Sequence, residues 1–172
     1  GCQLSQRLVS SLLAAGIDKV SVHSRPKVGV LRLGQELVDL SSEAEAGQVY
    51  DLNGYWLPDA IRGLGLEVVS LGISEDGPAG VHKQLGRCRT RKIDVLIVCG
   101  GTGEGINDRT AESIRELNGK VLLERIALEG RPGILYGKLA GMDVLSVSGT
   151  AVACGAGFDL FASALLLAIS GA

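Results

Sequence analysis

DVLIVCGGTGEGINDRT, residues 94–110, joins an apolar run to a stretch of bare backbone. Val95 to Cys99 are all apolar, a short run bounded by glycine, which reads as a fully buried strand. Gly100, Gly101, Gly103 and Gly105 then put four glycines in six positions, and Asp108 stands just before a helix-like segment. In open α/β sheets ligands bind beyond the carboxyl ends of the strands, where backbone N–H groups can converge on an anion. Two readings of the loop stand open on these residues alone: an anion-binding loop, and a plain strand-to-helix turn. The spacing is neither the dinucleotide fingerprint G-x-G-x-x-G nor a P-loop, since no Gly-Lys-Ser/Thr follows. Asp108 is equally readable as a helix cap and as a catalytic acid.

Working outward, helical spacing is seen over 5–16, with Leu8, Leu12 and Leu13 on one side and Gly16 as a stop. Alternation predicts a short strand over 19–23 and another over 27–34. Residues 35–52 are polar, acidic and irregular. Asn53 is placed to cap a helix running to residue 65, with Pro58 early in it. A strand is expected over 66–73, a turn over 74–80 and a helix over 81–88. The buried strand covers 93–100, and Asp108 opens a helix over 109–118. Three strand-like pieces follow at 120–128, 133–139 and 143–149, then a last helix from residue 151. Strands alternating with helices predict an α/β chain with a mainly parallel sheet and helices on both faces.

The chain has 172 residues, enough for one domain with a real core. Residues 1–24 can be read as the end of a preceding element. The first residue is Gly1 and the sole methionine is Met142, so the chain reads as a piece of a longer or processed protein. With 17 basic and 19 acidic residues, interspersed, and few aromatics, no nucleic-acid surface is expected. Cys2, Cys88, Cys99 and Cys154 are not spaced as metal pairs, and His23 and His82 have no evident partners, which argues against zinc. Free thiols without a signal-peptide pattern point to a cytoplasmic location. The C-terminal apolar segment is interrupted by Asp159 and reads as a buried helix rather than a membrane span. Tyr55 and Trp56 read as packing residues, and Cys99 as a buried free thiol.

Gly100-Gly101-Thr102-Gly103, four residues, Asp108, one residue and Thr110 resemble the GGTG-x4-D-x-T signature of molybdopterin adenylyltransferases of the MogA type. Residues 12–38, including Arg25-Pro26, and residues 47–78 resemble successive blocks of domain III of the molybdopterin molybdotransferases, the MoeA and gephyrin E type. The resemblance covers nearly the whole chain. It implies a three-layer α/β/α fold on a mainly parallel or mixed sheet, the MogA-like molybdopterin-binding fold. It implies a ligand, molybdopterin or its adenylate, with molybdate as co-substrate and Mg²⁺ as metal. It implies Glu36, Asp76 and Asp108 as catalytic and metal-holding acids. It further implies pterin contacts at Gly100, Gly101, Thr102, Gly103, Gly105 and Asp51, and a homo-oligomer, dimer or trimer. Each of the three acids follows a predicted strand. Two carboxylates about 4 Å apart repel by roughly 4 kcal/mol at an effective dielectric of 20, a penalty that a divalent cation removes.

The chain departs from the resembled pattern at particular side chains. Leu33 and Gln35 stand where the family's Thr-Gly-Asp-Glu-Leu has Thr and Asp. Leu52 replaces a hydroxyl residue between Asp51 and Asn53. Glu129 and Gly130 occupy the start of a Pro-Gly-Lys-Pro segment, with Arg131 its nearby cation. Val147-Ser148-Gly149-Thr150-Ala151 stands for Leu-Pro-Gly-Asn-Pro, leaving Ser148, Gly149 and Thr150 as candidate anion contacts at the last helix. The resemblance therefore implies an enzyme of molybdenum cofactor assembly. The altered side chains keep open a catalytically degenerate pterin-binding or sensor module. The GGTG signature keeps open an adenylyltransferase, and the shared fold a CinA-type nucleotide-processing protein.

Overall fold

The computed structural model describes residues 2, 4–74, 78–101, 110–124, 126 and 133–171. Six strands form the main sheet: β1 Lys27–Leu33, β4 Glu67–Ser74, β5 Val95–Cys99, β6 Lys120–Glu124, β7 Ile134–Leu139 and β8 Met142–Val147. Their order is β4-β1-β5-β8-β7-β6. β4, β1, β5 and β8 run parallel, while β7 pairs antiparallel with β8 and with β6. The sheet is thus mixed, because β7 and β8 are joined by a two-residue turn that leaves no room for a crossover helix. Ala140 and Gly141 in that turn have φ of 50° and 85°, the paired left-handed geometry favoured in tight hairpins.

Helices cover both faces. On one, α2 (Asn53–Gly63) presents Leu57 and Ile61, and the C-terminal helix presents Cys154, Phe158, Ala162 and Leu166. They pack on Val28, Val30, Val95, Ile97, Leu145 and Val147. On the other face α3 (Pro78–Thr90) and α4 (Thr110–Glu116) bring Val81, Leu85, Cys88 and Ile114 onto Leu31, Leu33, Leu96, Val98 and Val144. Successive residues of β1 and β5 feed opposite layers, the period-2 geometry of a strand buried on both sides. The three-layer α/β/α architecture expected from the sequence is the one observed. The C-terminal helix comprises α5 (Ala151–Gly157), a π-helical turn over Phe158–Ala162 and α6 (Ser163–Ile169). It is apolar and 19 residues long, and its inner side is part of the core.

Several local expectations are corrected. Residues 19–23 form no strand, and Val20 and Val22 are exposed. Alternation alone does not make a strand where no neighbour takes up its N–H and C=O groups. α1 (Gln6–Ala14) forms, capped by the Ser5 hydroxyl accepting from Leu8 N–H, but none of its residues is buried. The segment 35–52 contains a small parallel pair, β2 (Leu37–Val38) with β3 (Val49–Tyr50). α3 begins at Pro78, since a proline in a first turn has no N–H to leave unpaired. β6 is described over Lys120–Glu124, and of the remaining residues of the strand predicted to 128 only 126 is described, outside any strand; the others lie outside the described residues. Asn53 does not cap α2; Asp51 Oδ1 accepts from Gly54 N–H at 2.8 Å instead.

Candidate functional site

The carboxyl ends of β4, β1, β5 and β8 lie side by side. Leu33 is level with Ser74, Arg32 with Cys99, and Cys99 with Val147. The segments that start at residues 34, 75, 100 and 148 therefore leave the sheet at one edge. Glu36, Asp76 and Asp108 belong to three of these segments, on adjacent strands. Asp76 and Asp108, like Thr102, Gly103, Gly105 and Arg131, lie outside the described residues. Glu36 is exposed, and a Cβ built on Gly34 would lie 2.8 Å from its Oε1, so the carboxylate folds back over that glycine. Among the described residues no three His, Cys, Asp or Glu side chains gather as a metal site.

Among the described residues, two of the four segments touch. Gly100 donates its N–H to Val147 C=O at 2.8 Å, and its C=O accepts from the Ser146 hydroxyl at 2.7 Å. A Cβ built on Gly149 would lie 3.5 Å from Gly100 Cα. Gly149 C=O accepts from Asn53 Nδ2 at 2.7 Å, which ties the start of α2 to the same place. Gly100 has φ of 93°, and a Cβ there would lie 2.8 Å from Leu33 C=O, so only glycine fits. Thus Gly100, Gly101, Ser148, Gly149 and Thr150 are brought together at the edge. Ser148 and Thr150 oxygens lie 3.5 Å apart. Thr110, the threonine of the D-x-T signature, begins α4 directly after segment 102–109. Its Oγ1 is buried with no hydrogen-bond partner among the described residues, as is the Oγ of Ser113.

Asp51 is placed differently from the other candidates. Its Oδ2 takes Arg32 Nε at 2.8 Å and its Oδ1 holds Gly54 N–H, so the carboxylate is engaged on both oxygens and 2% exposed. Arg32 Nη1 reaches Ser70 Oγ at 2.7 Å, linking β1, β4 and α2. Gly54 has no room for a side chain, because a Cβ would collide with the Asp51 carboxylate and sit 2.9 Å from Arg32 Nε. Trp56 packs edge-on against Phe158 with ring centres 6.0 Å apart and donates Nε1–H to Asn53 Oδ1 at 2.9 Å. Tyr55 is exposed rather than packed, its hydroxyl 3.2 Å from Asp39 Oδ1. Cys99 and Cys154 are buried with sulfurs 3.9 Å apart. Their mutual hydrogen bond and burial push the Cys99 thiol well up, so it stays protonated beside the loop.

Arg32 and Ser146 were not among the candidate residues, yet both carry a signal. Each is a polar residue flanked by apolar neighbours in a buried strand, and a buried polar group requires a partner.

These loops lie within residues 29–168, which match the family model MoCF_biosynth, described as a probable molybdopterin binding domain. The chain belongs to this molybdopterin-binding domain family. It is 32% identical over 139 residues to the molybdopterin molybdenumtransferase of Haemophilus influenzae, covering 81% of this chain and 34% of that protein. The crystal structure of the molybdopterin biosynthesis MoeA protein from Pyrococcus horikosii superposes with a TM-score of 0.79 at 34% identity, over 98% of this chain and 41% of that one. A molybdopterin biosynthesis protein from Mycobacterium abscessus shares the fold, with a TM-score of 0.64 at 15% identity over 86% of this chain and 96% of its own. The chain therefore spans 29% to 41% of the length of the molybdenumtransferase and MoeA proteins it matches, and nearly the whole of the Mycobacterium abscessus structure.

Proposed function

We propose that this chain binds molybdopterin or its adenylate by the phosphate, as the pterin-holding domain of a molybdotransferase-type protein in molybdenum cofactor assembly. The observation that carries this reading is the meeting of the Gly100 and Gly149 segments at the carboxyl edge of four parallel strands, where the Gly101 and Thr150 N–H groups have no acceptor among the described residues. Family membership supplies the ligand. Glu36, Asp76 and Asp108 follow three adjacent strands and in this reading hold a Mg²⁺ that bridges to phosphate and molybdate oxygens. Thr102, Gly103 and Gly105 continue the phosphate loop. Asp51 contributes by fixing the start of α2 rather than by touching the ligand. The reading includes a cytoplasmic homo-oligomer, dimer or trimer.

A second reading, a binding module without molybdate insertion, is favoured by one particular observation. Leu33 stands where the resemblance expects a threonine hydroxyl, and its side chain is 5% exposed within the core. Calorimetric titration with molybdopterin and its adenylate, followed by single-turnover Mg²⁺-dependent cleavage, separates the readings. Binding with cleavage that falls sharply in Asp108→Asn supports the enzyme. Binding without cleavage supports the module, and no binding of either ligand defeats both.

A further inference from the structure

We infer that Ser146 and Asn53 are positioning residues that turn two loop peptides so that their N–H groups face the anion. The inference rests on the site proposed above. In a trans peptide the C=O and the following N–H point in opposite directions, and every described peptide bond is trans. Ser146 Oγ donates to Gly100 C=O at 2.7 Å, and the Ser146 side chain is 0% exposed, so that carbonyl points into the protein. The next N–H, of Gly101, therefore points away from the core. Asn53, 6% exposed, does the same from α2: its Nδ2 holds Gly149 C=O at 2.7 Å, which turns the Thr150 N–H outward. Neither the Gly101 nor the Thr150 amide finds an acceptor among the described residues.

The locks matter because both peptides begin at glycine. A glycine has no Cβ to oppose a change of ψ, so an unpinned Gly-X peptide flips readily. A flip at either place would present a carbonyl dipole to the phosphate in place of an N–H, replacing attraction by repulsion. Asn53 is itself fixed, because its Oδ1 accepts from Trp56 Nε1 at 2.9 Å and this sets which end of the amide faces Gly149. The two loops touch, so the two outward amides serve one tetrahedral anion rather than two separate ligands.

Amide and carbonyl NMR spectra of wild type, Ser146→Ala, Ser146→Thr and Asn53→Ala, each titrated with inorganic phosphate, test this. Wild type is expected to show saturable shifts at Gly101 and Thr150. Ser146→Ala should move the Gly100 carbonyl resonance, abolish the phosphate shift at Gly101 and weaken binding about tenfold, the equivalent of one charge-assisted hydrogen bond. Ser146→Thr, which keeps the hydroxyl, should restore both. Asn53→Ala should act in the same way at Gly149 and Thr150. Phosphate binding within twofold of wild type in both alanine variants overturns this inference and leaves the site reading standing. No phosphate shift at either loop in wild type overturns the site reading itself, and the inference falls with it.

Discussion

Replacing Asp51 should damage the fold more than any other change at this edge. Its pair with Arg32 is buried, with side chains 2% and 8% exposed and Nε to Oδ2 at 2.8 Å. Removing one partner of such a pair leaves an uncompensated charge and costs about 3–5 kcal/mol. Asp51→Asn retains an oxygen for Gly54 N–H and so isolates the charge, with an expected loss of about 3 kcal/mol. Asp51→Ala also uncaps α2 and should lose about 1 kcal/mol more. For a domain of this size each kcal/mol moves Tm by roughly 2–4 °C, so Asp51→Asn should melt about 6–12 °C lower. The double variant Arg32→Met with Asp51→Asn removes both charges and should recover part of that loss, because no charge remains stranded. Urea denaturation of the three proteins and wild type reads these differences directly. A loss under about 1 kcal/mol for Asp51→Asn, or no recovery in the double variant, would refute the pairing as the reason Asp51 is there.

Gly100→Ala should destabilise by about 2 kcal/mol or more, since it combines a left-handed φ of 93° with a Cβ 2.8 Å from Leu33 C=O; an unchanged melting temperature would count against the loop geometry. Under native conditions one thiol of four, Cys2, should react rapidly with an alkylating reagent, because Cys88, Cys99 and Cys154 are buried; denaturation should release the other three. Burial pushes the Cys88 thiol from 9.0 up to about 11. The unfolded chain therefore loses this proton first, so stability should be intact below pH 9 and decline between pH 9 and 11, and Cys88→Ala should flatten that decline.

Much of the architecture is legible in the sequence because burial dictates it. The run Val95 to Cys99 is buried throughout, and its neighbour β1 is buried from Val28 to Leu33 and apolar there apart from Arg32 for the same reason. The hairpin that makes the sheet mixed is legible only in hindsight, since Ala140-Gly141 lacks the asparagine that usually marks such a turn. The failed strand at 19–23 shows the limit of alternation, which reports an apolar face and not a partner for it. At the site, the glycine spacing shows where backbone must come close, and the structure brings Gly100 and Gly149 together. Asp51 and Asn53 look in sequence like ligand contacts or caps. Their partners, Arg32 and Gly149, lie 19 and 96 residues away, and no local pattern announces contacts at that range.

The central claim is that the two glycine segments at the carboxyl edge hold the ligand's phosphate. A crystal structure of the chain with adenylated molybdopterin tests it most directly. The account predicts the phosphate between the backbone of Gly100–Gly101 and that of Ser148–Thr150, within hydrogen-bond distance of the Gly101 and Thr150 amides. At the opposite edge of the sheet a cavity of about 340 Å³ is bordered by Leu85, Arg89, Lys92, Asp94, Leu139 and Met142 and offers two cations of its own. A phosphate seated there, against Arg89 and Lys92 and away from the glycines, would contradict the account.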